Sequence, residues 1–144
     1  MTIVDANVLL YAVNPATNQH RPARRWLDRA LSSGEPIGLP WLVLLAFLRI
    51  ATHPAVFDRP LERGQALSLV DAWCQVPSVV HPQPTSHFLP ILGQAIAHAG
   101  AAGNLVNDVY LAALASAYDA RVATFDGDFR RFGVPVITPE EPAG

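Results

Sequence analysis

Short apolar, β-branched runs recur along the chain between longer stretches in which apolar residues return every three or four positions, the pattern of strands alternating with amphipathic helices. Ile3 and Val4 open the series as a buried strand, and the apolar character resumes from Val8 to Tyr11 after an interruption at Asp5. Turn residues at 14–18 lead to a helix starting near His20. Its stripe is Ala23, Trp26, Leu27, Ala30 and Leu31, and Arg21, Arg24, Arg25, Arg29 and Asp28 take the opposite, solvated face. Residues 36–40 form a second short strand between prolines. Residues 41–52 form a nearly continuous apolar helix, buried on most sides, which stops at His53 because a residue before proline avoids the α region. Ala66, Leu69, Val70 and Trp73 mark a third helix, and residues 79–81 a brief strand. The next helix has Thr85 or Ser86 as its cap and Phe88, Ile91, Leu92, Ala95 and Ala99 as its stripe. After a glycine-bounded break at 100–103, Asn107 or Asp108 caps a helix with the stripe Leu111, Leu114, Ala115 and Tyr118. Residues 121–125 are then a strand ending at Asp126, 134–137 an edge strand, and the tail from Pro139 is polar and loose.

Strands alternating with helices predict an α/β fold with a parallel sheet covered on both faces. At 144 residues and 51% hydrophobic, the chain is of a size for one domain spanning 1–144 with its own core. A formal net charge of -2 argues against indiscriminate nucleic-acid adhesion. One cysteine, Cys74, leaves no internal disulfide and no cysteine-based zinc site. All ten basic residues are Arg, which removes Walker-type nucleotide binding, Schiff-base chemistry and phosphotransfer that pairs an early Asp with a Lys. The absence of a basic segment before an apolar run predicts neither a signal peptide nor a membrane span, and hence a cytoplasmic protein.

Three acids fall where packing alone would not put them: Asp5 after the first strand, Asp108 at a helix start, and Asp126 after a late strand. Singly, each suits a cap or a turn; Asp5 in particular could cap a helix opening at Ala6. Together they point elsewhere. The carboxyl ends of parallel strands share one edge, so Asp5 and Asp126 emerge side by side if their strands are neighbours, and Asp108 can reach the same crevice. Carboxylates so gathered repel one another, and a hard divalent cation reverses the sign; with oxygen ligands only, Mg²⁺ or Mn²⁺ is the expected ion.

Val4-Asp5-Ala6-Asn7-Val8-Leu9, Pro40-Trp41-Leu42 through Phe47-Leu48-Arg49, Gly103-Asn104-Leu105-Val106 with Asp108 and residues 111–115, and Ala123-Thr124-Phe125-Asp126-Gly127-Asp128-Phe129 together resemble the PIN domains, and more closely the VapC toxins of bacterial toxin-antitoxin operons. The resemblance spans nearly the whole chain. It implies a three-layer α/β/α sandwich and Mg²⁺- or Mn²⁺-dependent endoribonuclease activity leaving 5′-phosphate and 3′-hydroxyl ends. Asp5, Asp108 and Asp126 match its catalytic, metal-binding acids, Asn7 and Thr124 its supporting polar positions, and Asp128 an additional acidic one. It also implies a homodimer neutralised by a cognate VapB-type antitoxin, with RNA as substrate.

One departure stands out. Such toxins carry Glu three residues before the Arg of the middle motif, whereas this chain has Ala46 ahead of Arg49. A methyl group cannot bind a cation, so the resemblance implies a catalytically impaired chain. A PIN module that binds RNA or a protein partner without catalysis is the competing expectation: Ala46 favours it and the three retained acids oppose it.

Overall fold

Ile3 and Val4, both fully buried, lie in the strand β1 (Thr2–Val4), which the rest of the sheet flanks. In the computed structural model, which describes residues 1–103 and 105–139, four further strands join it: β2 (Ile37–Gly38), β3 (Val79–Val80), β4 (Arg121–Ala123) and β5 (Val136–Ile137). The order is β3-β2-β1-β4-β5, and every pairing is parallel. The shortness of β1, β2 and β4 is compensated by burial, the usual condition of the inner strands of a parallel sheet, while the edge strands β3 and β5 are only partly covered. In β1 and β4 the register sets Val4 opposite Ala123, and the amide of Asp5 continues the ladder to the Ala123 carbonyl at 2.9 Å.

Six helices flank this sheet: α1 (Ala6–Val13), α2 (His20–Ser32), α3 (Trp41–Ala51), α4 (Arg63–Gln75), α5 (Phe88–Ala99) and α6 (Leu105–Ala117). They fall into two packed groups, α1 with α2 and α3 and then α4, and α5 with α6. A 3-10 helix, Gly127–Phe132, packs on the second group. Phe47 of α3 meets Trp73 of α4 edge to face at 4.9 Å, an arrangement in which the ring edge faces the partner's π cloud. The mixed α/β architecture is the one expected from the alternation of strands and helices.

Several expectations are settled or corrected. The apolar run 8–11, left open between strand and helix, belongs to α1, because Asp5 caps a helix at Ala6. α3 is not buried on most sides: Trp41 and Leu45 are 51% and 59% exposed. α5 begins at Phe88 without a side-chain cap from Thr85 or Ser86, and of its expected stripe only Phe88 is fully buried. α6 begins at Leu105, so Asn107 and Asp108 lie inside its first turn and cap nothing. Asn104 and the tail beyond Pro139 lie outside the described residues, while Pro139 itself is buried. Among the described residues no helix is long and apolar enough to cross a membrane.

Gly38 marks the tightest place in the sheet. A Cβ there would stand 2.9 Å from Cγ1 of Ile3, 3.2 Å from Sδ of Met1 and 3.3 Å from Cγ of Pro82. Gly64 of α4 has nothing within 4 Å of the corresponding position. Gly38→Ala is therefore expected to destabilise by about 1–3 kcal/mol through overpacking. Gly64→Ala should stabilise by roughly 0.5 kcal/mol through helix propensity and a stiffer unfolded chain. Urea unfolding of the two variants beside the parent checks the opposite signs.

Candidate active site

Asp5 ends β1 and opens α1, with extended backbone angles (φ -73°, ψ 150°) and its Oδ1 accepting from the Ala6 amide at 2.7 Å. The cap and the clustered acid are thus the same residue. Oδ2 accepts from the Thr124 hydroxyl at 2.8 Å and from Nδ2 of Asn7 at 3.3 Å. Burial pushes the Asp5 carboxyl above its ordinary value; the Thr124 hydroxyl and the Ala6 amide pull it back, and the charge of Asp126 pushes it up again.

Thr124 is the hinge of this arrangement. It follows β4, is fully buried, and its hydroxyl donates to Asp5 while accepting from Asn7 Nδ2 at 3.1 Å and from the Asp126 amide at 3.1 Å. One donor and two lone pairs are all in use. Asn7 completes the circuit, its Oδ1 accepting from the Phe125 amide at 3.1 Å. The two polar residues therefore lash the end of β1 to the turn after β4, placing Asp126 beside Asp5. Asp126 in turn caps the 3-10 helix, its Oδ1 accepting from the Asp128 amide at 2.9 Å. Asp128 is exposed at the outer side of that turn, and its recorded link to Asp126 is through the backbone.

Asp108 comes from the other direction, in the first turn of α6. Its carboxyl is pushed up to about 6 by burial first and then by the charges of Asp5 and Asp126, with Arg131 pulling it down. Asp5 and Asp108 line an open cleft of about 710 Å³ with Ala6, Leu42, Val43, Leu45, Ala46, Arg49, Asn107 and Leu111. Asp126 and Asp128 stand outside that wall. Ala46 is half-buried with its methyl facing the cleft, so position 46 belongs to the acidic crevice and not to the core. Arg49, Asn107 and Arg131 are the participants that a search for acids passes over; the spacing of Arg49 three residues after Ala46 was the available signal for one of them.

As they stand, no three His, Cys, Asp or Glu side chains among the described residues come close enough to enclose an ion. Burial first, and the nearby carboxylate charges after it, raise the proton affinity of Asp5 and Asp108. The donor set, all carboxylate oxygen with a polar support behind Asp5, is that of a hard dication.

The raised Asp108 value has a measurable consequence in metal-free protein. A carboxyl whose folded pKa exceeds its unfolded one holds its proton more tightly when folded, so its contribution to stability is complete below about pH 4 and is lost as the pH rises through about 6. Asp108→Asn removes the repulsion at every pH. In chelator-treated samples the melting temperature of the variant should overtake that of the parent progressively between pH 4 and 7; a difference independent of pH would contradict the electrostatic account.

The PIN domain family matches residues 2–135 of the chain. Ribonuclease VapC37 of Mycobacterium tuberculosis is 48% identical over 132 residues, covering 92% of each chain. Ribonuclease VapC31 of the same organism is 37% identical over 132 residues, covering 92% of this chain and 93% of its own. Among solved structures, VapBC-1 from nontypeable Haemophilus influenzae superposes with a TM-score of 0.68 at 15% identity, over 97% of this chain and 98% of that one, a likeness of fold. With a family model matching residues 2–135 and relatives this similar over nearly its full length, the chain belongs to the PIN domain family and, within it, to the VapC ribonucleases.

Proposed function

We propose that this chain is the ribonuclease toxin of a type II toxin-antitoxin pair, hydrolysing RNA phosphodiesters with Mg²⁺ or Mn²⁺ held by Asp5, Asp108 and Asp126. One observation carries the proposal: Asp5 from β1 and Asp108 from α6 line one cleft, and the charge of Asp126, in the turn after β4, adds to the burial that raises the proton affinity of both. A bound dication would supply Lewis acidity and an activated water. The protein's own part is positional. Thr124 and Asn7 fix the Asp5 carboxylate so that one face is occupied inward and the other is directed to the cleft. Asp108 comes from α6 into the same cleft, where a phosphodiester has room, and Asp126 comes from the turn after β4. Attack of the water oxygen on phosphorus breaks the bond to the 3′ oxygen, which takes up a proton, leaving a 5′-phosphate and a 3′-hydroxyl.

Ala46 places a methyl group where a fourth carboxylate would complete the site, so ion affinity and turnover of this chain are both expected to be low. The chain works as a homodimer in the cytoplasm, and a VapB-type antitoxin silences it by laying an arginine across the acids, a cation that competes with the metal. The VapBC assembly among its structural relatives supports that partner. A PIN module that binds RNA without cutting it is the second possibility, and Ala46 is the observation in its favour.

Mn²⁺ calorimetry and an RNA cleavage assay separate the two. Asp5→Asn and Asp126→Asn should each abolish or greatly weaken Mn²⁺ binding. Ala46→Glu should tighten it and raise cleavage by on the order of tenfold to a thousandfold, the scale of one ligand or electrostatic stabiliser. Ion binding unchanged by the Asn variants would refute the metal site. An Ala46→Glu protein that melts early, is not rescued by Mn²⁺ and cuts no RNA would refute the alignment of the middle motif and leave the non-catalytic module standing.

A further inference from the structure

A cleft whose task is to hold a dication has no use for an arginine in its wall, since a guanidinium repels the ion it should attract. Arg49 is nevertheless there, exposed, three residues along α3 from Ala46 and so on the same side of the helix. It is not engaged elsewhere: the ion pairs among the described residues are Arg24 with Asp28 and Arg121 with Glu35. A second cation stands on the 3-10 helix that packs on α6. Arg131 closes the 3-10 helix that Asp126 caps; its guanidinium lies 5.2 Å from the centre of the Phe132 ring, and its charge is felt at Asp108. Stacking of this kind holds a guanidinium plane in place while leaving its N–H edge available.

Two elements near the acids thus carry an arginine: α3 with Arg49 in the cleft wall, and the 3-10 helix, which Asp126 caps, with Arg131. The cleft, at about 710 Å³, is far larger than an ion needs and has room for a strand segment. A protein of net charge -2 without any lysine cannot rely on its overall field to draw in a polyanion, so attraction has to be local. From this placement we infer that Arg49 and Arg131 are positioning residues that grip RNA phosphates near the scissile one, drawing the strand across Asp5, Asp108 and Asp126. Arginine suits this task because its fork donates two parallel hydrogen bonds to phosphate oxygens. Neither residue touches the reacting atoms; each fixes where the phosphodiester lies relative to the acids.

The inference rests on the ribonuclease proposal, and the test keeps the two apart. Binding of a fluorescent single-stranded oligoribonucleotide is followed by anisotropy, with Ca²⁺ in place of the active ion, over a range of salt for the parent, Arg49→Gln, Arg131→Gln and Arg49→Lys. Arg29→Gln serves as a control because Arg29 lines a different hollow, beside Thr2 and Arg121 at the amino ends of the strands. Each cleft variant should weaken binding about tenfold and lower the slope of log affinity against log salt by about 0.7, the value for one phosphate contact on a single strand. Arg49→Lys should recover the slope but not the full affinity, and Arg29→Gln should change neither. In the Ala46→Glu background, Arg49→Gln should raise KM while kcat changes little, and Mn²⁺ affinity should hold or improve. If the Gln variants bind RNA with the parent's slope while Ala46→Glu still cleaves, the phosphate grip is wrong and the ribonuclease proposal survives. If Arg49→Gln tightens Mn²⁺ strongly and leaves RNA binding untouched, Arg49 is a competing cation and not a substrate contact. If Ala46→Glu with both arginines intact neither binds nor cuts RNA, both fall together.

Discussion

The hydroxyl of Thr124 is the contact on which the site depends. A carboxylate at the end of a buried strand carries a desolvation cost of several kcal/mol unless donors meet it. Asp5 meets three: the Ala6 amide, the Thr124 hydroxyl and the Asn7 amide group. Because Thr124 also accepts from Asn7 and from the Asp126 amide, the same atom that makes Asp5 tolerable sets the path of the chain toward the next acid. Support for the charge and placement of its neighbour are one structural event, available only because β1 and β4 are adjacent and in register. A threonine suits this position for a further reason: its β-branched body belongs in a strand environment while its oxygen serves the network.

The sheet settles two of the acids and the helices the third. Parallel strands deliver Asp5 and the Asp126 turn at the same edge, whereas Asp108 depends on α6 starting early enough for its first turn to look into the cleft. That turn is also where an acid is favoured by the helix dipole, so the repulsion from Asp5 and Asp126 is partly offset by the backbone amides of α6. The raised proton affinity of Asp108 comes from its burial first and from the charges of Asp5 and Asp126 after it.

Much of this could be read from the chain because its periods are clean. The runs around Ile3 and Val122 announced buried strands, and the acids following them a shared edge on the condition that the strands are neighbours, which the pairing of β1 with β4 meets; Asn7 and Thr124 were legible only through the family resemblance. The errors have physical sources. Val8 to Tyr11 reads equally as strand or helix, since four apolar residues carry no period, and only the cap geometry of Asp5 decides. The placement of Asn107 and Asp108 within the first turn of α6 eluded the cap rule because favoured residues for a cap and for a first turn overlap. Trp41 and Leu45 looked buried because composition reports how apolar a helix is, not how many of its sides have partners. Arg131 was out of reach of any pattern: its nearness to Asp108 arises from the fold of the 3-10 helix against α6.

Ala46 and Arg49 show how one helix face can shift the electrical balance of a site. Both residues look into the cleft, so a Glu at 46 would stand within reach of Arg49 as an i, i+3 partner and would spend part of its charge on that arginine. With alanine there, Arg49 is left to act on whatever enters the cleft, and the three remaining acids face two nearby guanidiniums instead of four acids facing them. An ion is then held less firmly, because a ligand is missing and the cations are less compensated. Once an ion is present, however, the same crevice carries more positive charge than its four-acid counterpart and attracts a phosphate more strongly. Loss of the carboxylate thus trades ion affinity for anion affinity along a single turn of α3. That exchange follows from the helix geometry and from Coulomb's law, whichever of catalysis or capture the chain performs.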